Sequence, residues 1–160
     1  PEGETWAVVA LTYFHSAAIT SQGSLHLWGR DDYGKCSQKP SLPEGETWAV
    51  VALTYFHSAA ITSQGSLHLW GRDNNRQCSQ KPSLPEGETW ATVALGAGYS
   101  AGITSGGSLH LWGNDTYGQC SQKPGLPEGE TWAAVALGAG YSAAITSGGG
   151  LHIWGNDTYG

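Results

Sequence analysis

Methionine is absent, phenylalanine occurs only 2 times in 160 residues, and charged residues make up only 12% of the chain. No apolar run approaches the ~20 residues that a membrane-spanning helix needs, and no segment reads as a secretory signal. The 3 cysteines form no Cys-x-x-Cys pair, which removes the usual sequence mark of structural zinc or thiol redox chemistry. There is no Gly-x-Ser-x-Gly elbow, His-Glu-x-x-His helix, Walker loop or dinucleotide fingerprint, so no cofactor and no catalytic role is expected. With 7 basic residues in no evident cluster and a net charge of -6, the chain repels phosphate backbones, and no nucleic-acid partner is expected. A sequence that starts inside a loop without Met reads as a processed or excised portion of something longer.

What is abundant is glycine, with 24 copies, and tryptophan, with 8. Trp6, Trp48, Trp90 and Trp132 share one slot of a 42-residue period, and Trp28, Trp70, Trp112 and Trp154 share another. One domain over residues 1–160 is therefore built from repeats 1–42, 43–84, 85–126 and 127–160, the last incomplete. A period of this size marks a solenoid or propeller, in which each unit buries its apolar faces only against its neighbours.

Within the first unit, Thr5 to Leu11 is a β-branched and aromatic run apolar on both alternating faces, which predicts a strand buried on both sides. Ser16 to Thr20 is a second candidate, followed by Ser-Gln-Gly or Ser-Gly-Gly, residues that accept a hairpin turn, and then by Ser24 to Trp28. An outer strand around Cys36 to Lys39 is the weakest, since Pro40 and Pro43 flank it and proline cannot donate to an interior ladder. The expected fold class is all-β, a β-propeller of four-stranded, or at least three-stranded, blades.

The third unit reads Val93-Ala94-Leu95-Gly96-Ala97-Gly98-Tyr99-Ser100, then Ile103-Thr104-Ser105-Gly106-Gly107-Ser108-Leu109-His110-Leu111-Trp112-Gly113-Asn114-Asp115-Thr116-Tyr117-Gly118-Gln119-Cys120. It resembles the RCC1-like repeat family, and His15 and His57 fall on that family's histidine slot. Tyr99 and Tyr141 replace the histidine, and Thr12 and Thr54 replace the usual glycine. The resemblance implies a propeller acting as an interaction platform, and no segment matches the exchange-factor loops of the founding member. Near-perfect repetition also fits a recently duplicated or designed array.

Near-identical units place like groups in equivalent positions, whereas a catalytic site needs unlike groups at one place, so the chain is not expected to be an enzyme. The leading reading is a non-catalytic scaffold that binds a protein partner of unknown identity. Four units leave open ends, and closure by two chains into a homodimeric ring is the expected remedy. The alternatives are a multivalent carbohydrate-binding lectin using tryptophans, and a purely structural symmetric protein without a ligand.

Candidate binding residues are Asp32, Tyr33 and Lys35 of the first unit and Asn74, Asn75 and Arg76 of the second, in an exposed, tolerant segment where Asp32-Tyr33-Gly34-Lys35 becomes Asn74-Asn75-Arg76-Gln77, and an acidic ring of Glu2, Glu4, Glu44, Glu46, Glu86, Glu88, Glu128 and Glu130. The His26, His68, His110 and His152 set is expected to pack rather than to hold a metal. Cys36, Cys78 and Cys120 are expected to be free thiols, which favours a reducing compartment, while the Asn114 and Asn156 sequons leave secretion open.

Overall fold

The computed structural model describes residues 3–156. Each repeat contributes one antiparallel three-stranded sheet in chain order. The strands are β1 (Trp6–Leu11), β2 (His15–Thr20) and β3 (Leu25–Gly29); β4 (Trp48–Leu53), β5 (His57–Thr62) and β6 (Leu67–Gly71); β7 (Trp90–Leu95), β8 (Tyr99–Thr104) and β9 (Leu109–Gly113); and β10 (Trp132–Leu137), β11 (Tyr141–Thr146) and β12 (Leu151–Gly155). Successive sheets pack face to face, with each blade's first strand against the first and second strands of the blade before it. The core lies in three seams between blades. At the first seam, Ala17, Ile19 and Leu25 meet Trp48, Val51 and Trp70.

Among the described residues the expected fourth strand does not form, and each blade has three strands. The amides that would feed an outer ladder are spent on a turn. Asp31 Oδ1 accepts the Cys36 amide at 2.6 Å and the Ser37 amide at 3.1 Å, and Asp73 and Asp115 repeat the pattern. Lys39 Nζ, Lys81 Nζ and Lys123 Nζ then donate to the carbonyls of Leu25, Leu67 and Leu109, clamping each connector to its own blade. The doubly buried strand is also the second, not the first. Every residue of β5 and β8 is buried, because a middle strand has a ladder on both edges and a blade on both faces, whereas β4 and β7 lie at a sheet edge and keep exposed positions.

Glycine matters most where a seam closes on a hairpin. Gly23 turns at φ 81°, its carbonyl accepts the Trp48 amide at 2.9 Å, and a Cβ there would strike Thr47. Gly65 with Trp90 and Gly107 with Trp132 repeat the contact, each at 2.9 Å. Blades are thus joined by backbone as well as by side chains.

A second glycine explains a paired change among repeats. A Cβ on Gly96 would strike the Tyr99 ring, so tyrosine in this slot requires glycine three residues earlier. In the other solution, the Thr54 hydroxyl accepts the Phe56 and His57 amides at 3.3 and 3.2 Å and reaches His57 Nδ1 at 3.1 Å. Gly96→Thr should therefore destabilise the fold by about 1–3 kcal/mol through overpacking. Adding Tyr99→His should recover most of that loss in a denaturant titration; additive costs would sink the pairing.

Candidate functional site

Antiparallel order divides the molecule into two ends. The start of each first strand, the hairpin between the second and third strands, and the Glu-bearing loops share one end. The loop between the first and second strands shares the other with the connector that leaves the third strand.

At the acidic end, Glu44, Glu86 and Glu128 are exposed, while Glu4, Glu46, Glu88 and Glu130 are half-buried. The half-buried members tuck inward, and Glu88 and Glu130 lie against the Ser-Gly-Gly hairpins at Gly106 and Gly148. Glu2 falls outside the described residues. A cleft of about 520 Å³ opens here between blades 1 and 2, lined by Glu4, His26, Lys39, Glu46 and Trp48, and one of about 290 Å³ recurs at the next seam with Lys81, Glu88 and Trp90. Among the described residues no three His, Cys, Asp or Glu side chains gather as metal ligands. His26, His68, His110 and His152 instead stand edge-on to Trp6, Trp48, Trp90 and Trp132, with ring centres 5.3–5.5 Å apart.

Buried polar groups run along the seams. The carbonyl of Gln77 accepts both Ser100 Oγ, at 2.9 Å, and Trp112 Nε1, at 2.8 Å, from the next blade. Lys35 and Gln119 offer their carbonyls in the same way to Ser58 with Trp70 and to Ser142 with Trp154. His57 Nε2 lies 2.9 Å from Ser100 Oγ. With the serine's proton committed to Gln77, Nε2 is the donor to the Ser100 oxygen. The slot bridges blades when tyrosine fills it as well: Tyr99 Oη donates to the Tyr141 carbonyl at 2.6 Å.

Burial lowers His57 to about 4, against a smaller opposing pull from Asp73. The unfolded chain's imidazole binds its proton near pH 6.5, so acid favours unfolding in the window between. The contribution is full above about pH 6.5 and falls as pH drops to 4, a loss on the order of 3 kcal/mol. His57→Gln, which keeps an amide donor, should flatten thermal-melt temperatures across this window; an unchanged slope would show that other groups set it. The three cysteines are free, and burial raises Cys78 and Cys120 to about 12, so their thiols are protonated and unreactive at neutral pH.

The variable connector is not uniformly exposed. Tyr33 and residues 74–76 are exposed, but Lys35 is fully buried, with Nζ donating to the Tyr55 carbonyl at 2.9 Å and lying 4.9 Å from the Tyr55 ring centre. Arg76 stands at φ 60° in a slot that holds Gly34 and Gly118 in sister repeats. Basic residues that are scattered in sequence converge at this end: Arg30 pairs with Asp32 and lies over Phe14, and Arg72 lies between Tyr33 and Phe56. The absence of a basic cluster inferred from spacing is thus corrected. The signal was present in Arg30 and Arg72 occupying one slot beside Tyr-Phe-His loops that the last two units lack.

Four packed three-stranded blades with seams repeated slot for slot make a β-propeller fold, and its likeness to solved structures is to RCC1-like propellers. The chain superposes on Prp20p from Saccharomyces cerevisiae with a TM-score of 0.79 at 19% identity, covering 98% of this chain and 44% of that one. It superposes on human WBSCR16 with a TM-score of 0.77 at 20% identity, covering 96% and 48%. The computationally designed Ika4 protein gives 0.55 at 11% identity, covering 97% and 93%. The chain therefore spans less than half the length of the first two, and at these identities the likeness is one of fold. No family model and no curated protein sequence matches.

Proposed function

We propose that the chain is a non-catalytic propeller scaffold that closes into an eight-bladed ring from two copies joined head to tail, and that the loops of the ring dock a protein partner. The observation that carries this reading is the complementarity of the two end faces. Trp6 is 54% exposed on blade 1, whereas Trp48 in the same slot is 6% exposed at a seam. Leu151 is 63% exposed on the far face of blade 4, whereas Leu67 is 2% exposed. A Cβ on Gly149 would meet nothing, where one on Gly23, Gly65 or Gly107 would strike the next blade's threonine. The face that blade 1 presents is thus the one that blade 4 is shaped to receive. Each end shows bulky apolar side chains whose burial contributes about 1.5–3 kcal/mol apiece. Such a contact is heterologous and must close to avoid fibres.

The docking role is supported by fold analogy: Prp20p, similar in fold, is described with binding to Gsp1p and histones. The carbohydrate alternative has less support, because Trp48, Trp90, Trp132, Trp70, Trp112 and Trp154 are all buried and so withhold the symmetric aromatic platforms a repeated sugar site would use. Small-angle X-ray scattering tests the ring. A closed disc of eight blades is expected, and an open arc or a compact ring of four blades would contradict it.

A further inference from the structure

We propose that the end of the molecule opposite the glutamate loops captures an acidic protein segment through one bulky apolar side chain, held by an aromatic ledge on blades 1 and 2. The inference rests on the reading of the chain as a protein-interaction module, and it does not require ring closure. The ledge is continuous. Tyr13 packs edge-on to Phe14 at 4.7 Å between ring centres, Phe14 to Tyr55 at 5.3 Å, and Tyr55 to Phe56 at 4.9 Å. Tyr13 is 91% exposed. Tyr55, the same slot at an internal seam, keeps 36%, so closing the ring would leave the ledge open.

Beside the ledge a pocket of about 230 Å³ lies between Tyr55 and Phe56 on one side and Leu95, Ala97, Leu137 and Ala139 on the other. It exists because units three and four carry Gly-Ala-Gly where the first two carry Thr-Tyr-Phe, and the Ala97 amide, bonded to the Gly138 carbonyl at 3.2 Å, fixes the small-residue wall. The pocket offers an apolar side chain a place to be desolvated, as the anchor of a protein interface requires.

Charge decides the class of partner. Arg30 sits 5.3 Å over the Phe14 ring, Arg72 sits 5.0 Å over Phe56 and 5.3 Å over Tyr33, and Arg72 Nε is buried without a hydrogen-bond partner. Rings that hold guanidinium groups in place leave them ordered for carboxylates. Of the cations at this end, Arg30 is paired with Asp32 and Lys35 is buried on the Tyr55 carbonyl, as Lys39, Lys81 and Lys123 are tied to carbonyls at the acidic end, so Arg72 and the exposed Arg76 are the ones that face a partner's carboxylates. Tyrosine and arginine around an apolar pocket are the composition of protein hot spots. The same mixture can stack nucleobases, but a protein segment also brings the bulky apolar side chain that the pocket of Leu95, Ala97, Leu137 and Ala139 desolvates.

Fluorescence anisotropy of the full chain tests this with three labelled probes: a random copolymer of glutamate and tyrosine, polyglutamate, and oligothymidylate. Saturable binding of the copolymer is expected, with polyglutamate at least about tenfold weaker. Tyr13→Ala combined with Tyr55→Ala, or Ala139→Phe to fill the pocket, should each weaken copolymer binding at least about tenfold. Tyr13→Ala alone, at a side chain in full solvent, keeps the test valid should the double variant misfold; it should weaken binding at least about threefold. The proposal is overturned by copolymer affinity that these variants leave unchanged, by polyglutamate matching the copolymer, by absence of copolymer binding, or by oligothymidylate binding more tightly, which would mark a nucleic-acid surface.

Discussion

Trp112→Ala should lower unfolding stability by about 3–5 kcal/mol, the cost of deleting a buried aromatic ring and leaving its cavity. Trp112 is 5% exposed, and its loss also strips one donor from the Gln77 carbonyl, which Ser100 continues to serve. Against a typical total of about 5–15 kcal/mol, this approaches the threshold of folding. The informative partner is Trp28→Ala. In one chain alone Trp28 is 47% exposed, so its removal should cost about 1 kcal/mol or less. In a closed ring the partner's blade 4 would cover its ring, and its removal should cost a large part of the same amount. Chemical denaturation of both variants at high and low protein concentration reads the difference. A Trp28→Ala cost that stays small at every concentration would argue against the seam.

Ile145→Glu should split the assembly. Ile145 lies on the far face of blade 4 and is 41% exposed, whereas Ile61 and Ile103, in the same slot at internal seams, are almost fully buried. In a lone chain the glutamate stays hydrated and costs little. In a ring it would be forced against the partner's first blade, where an unpaired buried carboxylate costs several kcal/mol and so more than about a hundredfold in association. Sedimentation velocity of the variant should show single chains that retain the β-sheet circular dichroism of the parent. Unchanged sedimentation would place the interface elsewhere.

How much of this was legible in the residues depends on the range of the forces involved. Blade count, the hairpin glycines and all three strands of a blade follow from local periodicity, because the 42-residue repeat, the apolar alternation and turn chemistry are written within a few residues of one another. The missing fourth strand was not legible, because it turns on where a carboxylate points: Asp31, Asp73 and Asp115 take amides five and six residues ahead and so convert a polar segment into turns. Strand burial was assigned to the wrong strand because apolar alternation does not say which strand takes the middle of a sheet. Seam chemistry was hidden for a related reason. Trp112 and Gln77 are 35 positions apart, and only packing shows that a backbone carbonyl serves an indole and a serine together. The Thr-to-Gly and His-to-Tyr exchanges were visible as substitutions, yet their coupling needed the distance between a glycine and a ring.

The measurement that bears most directly on the account is the mass of the unmodified protein in solution, by light scattering across a concentration series. Two chains closing one ring predict twice the 16.8 kDa chain mass, constant with concentration once the ring is formed. A species that remains at the single-chain mass at all concentrations would contradict ring closure, and a mass that keeps climbing would show open head-to-tail growth instead.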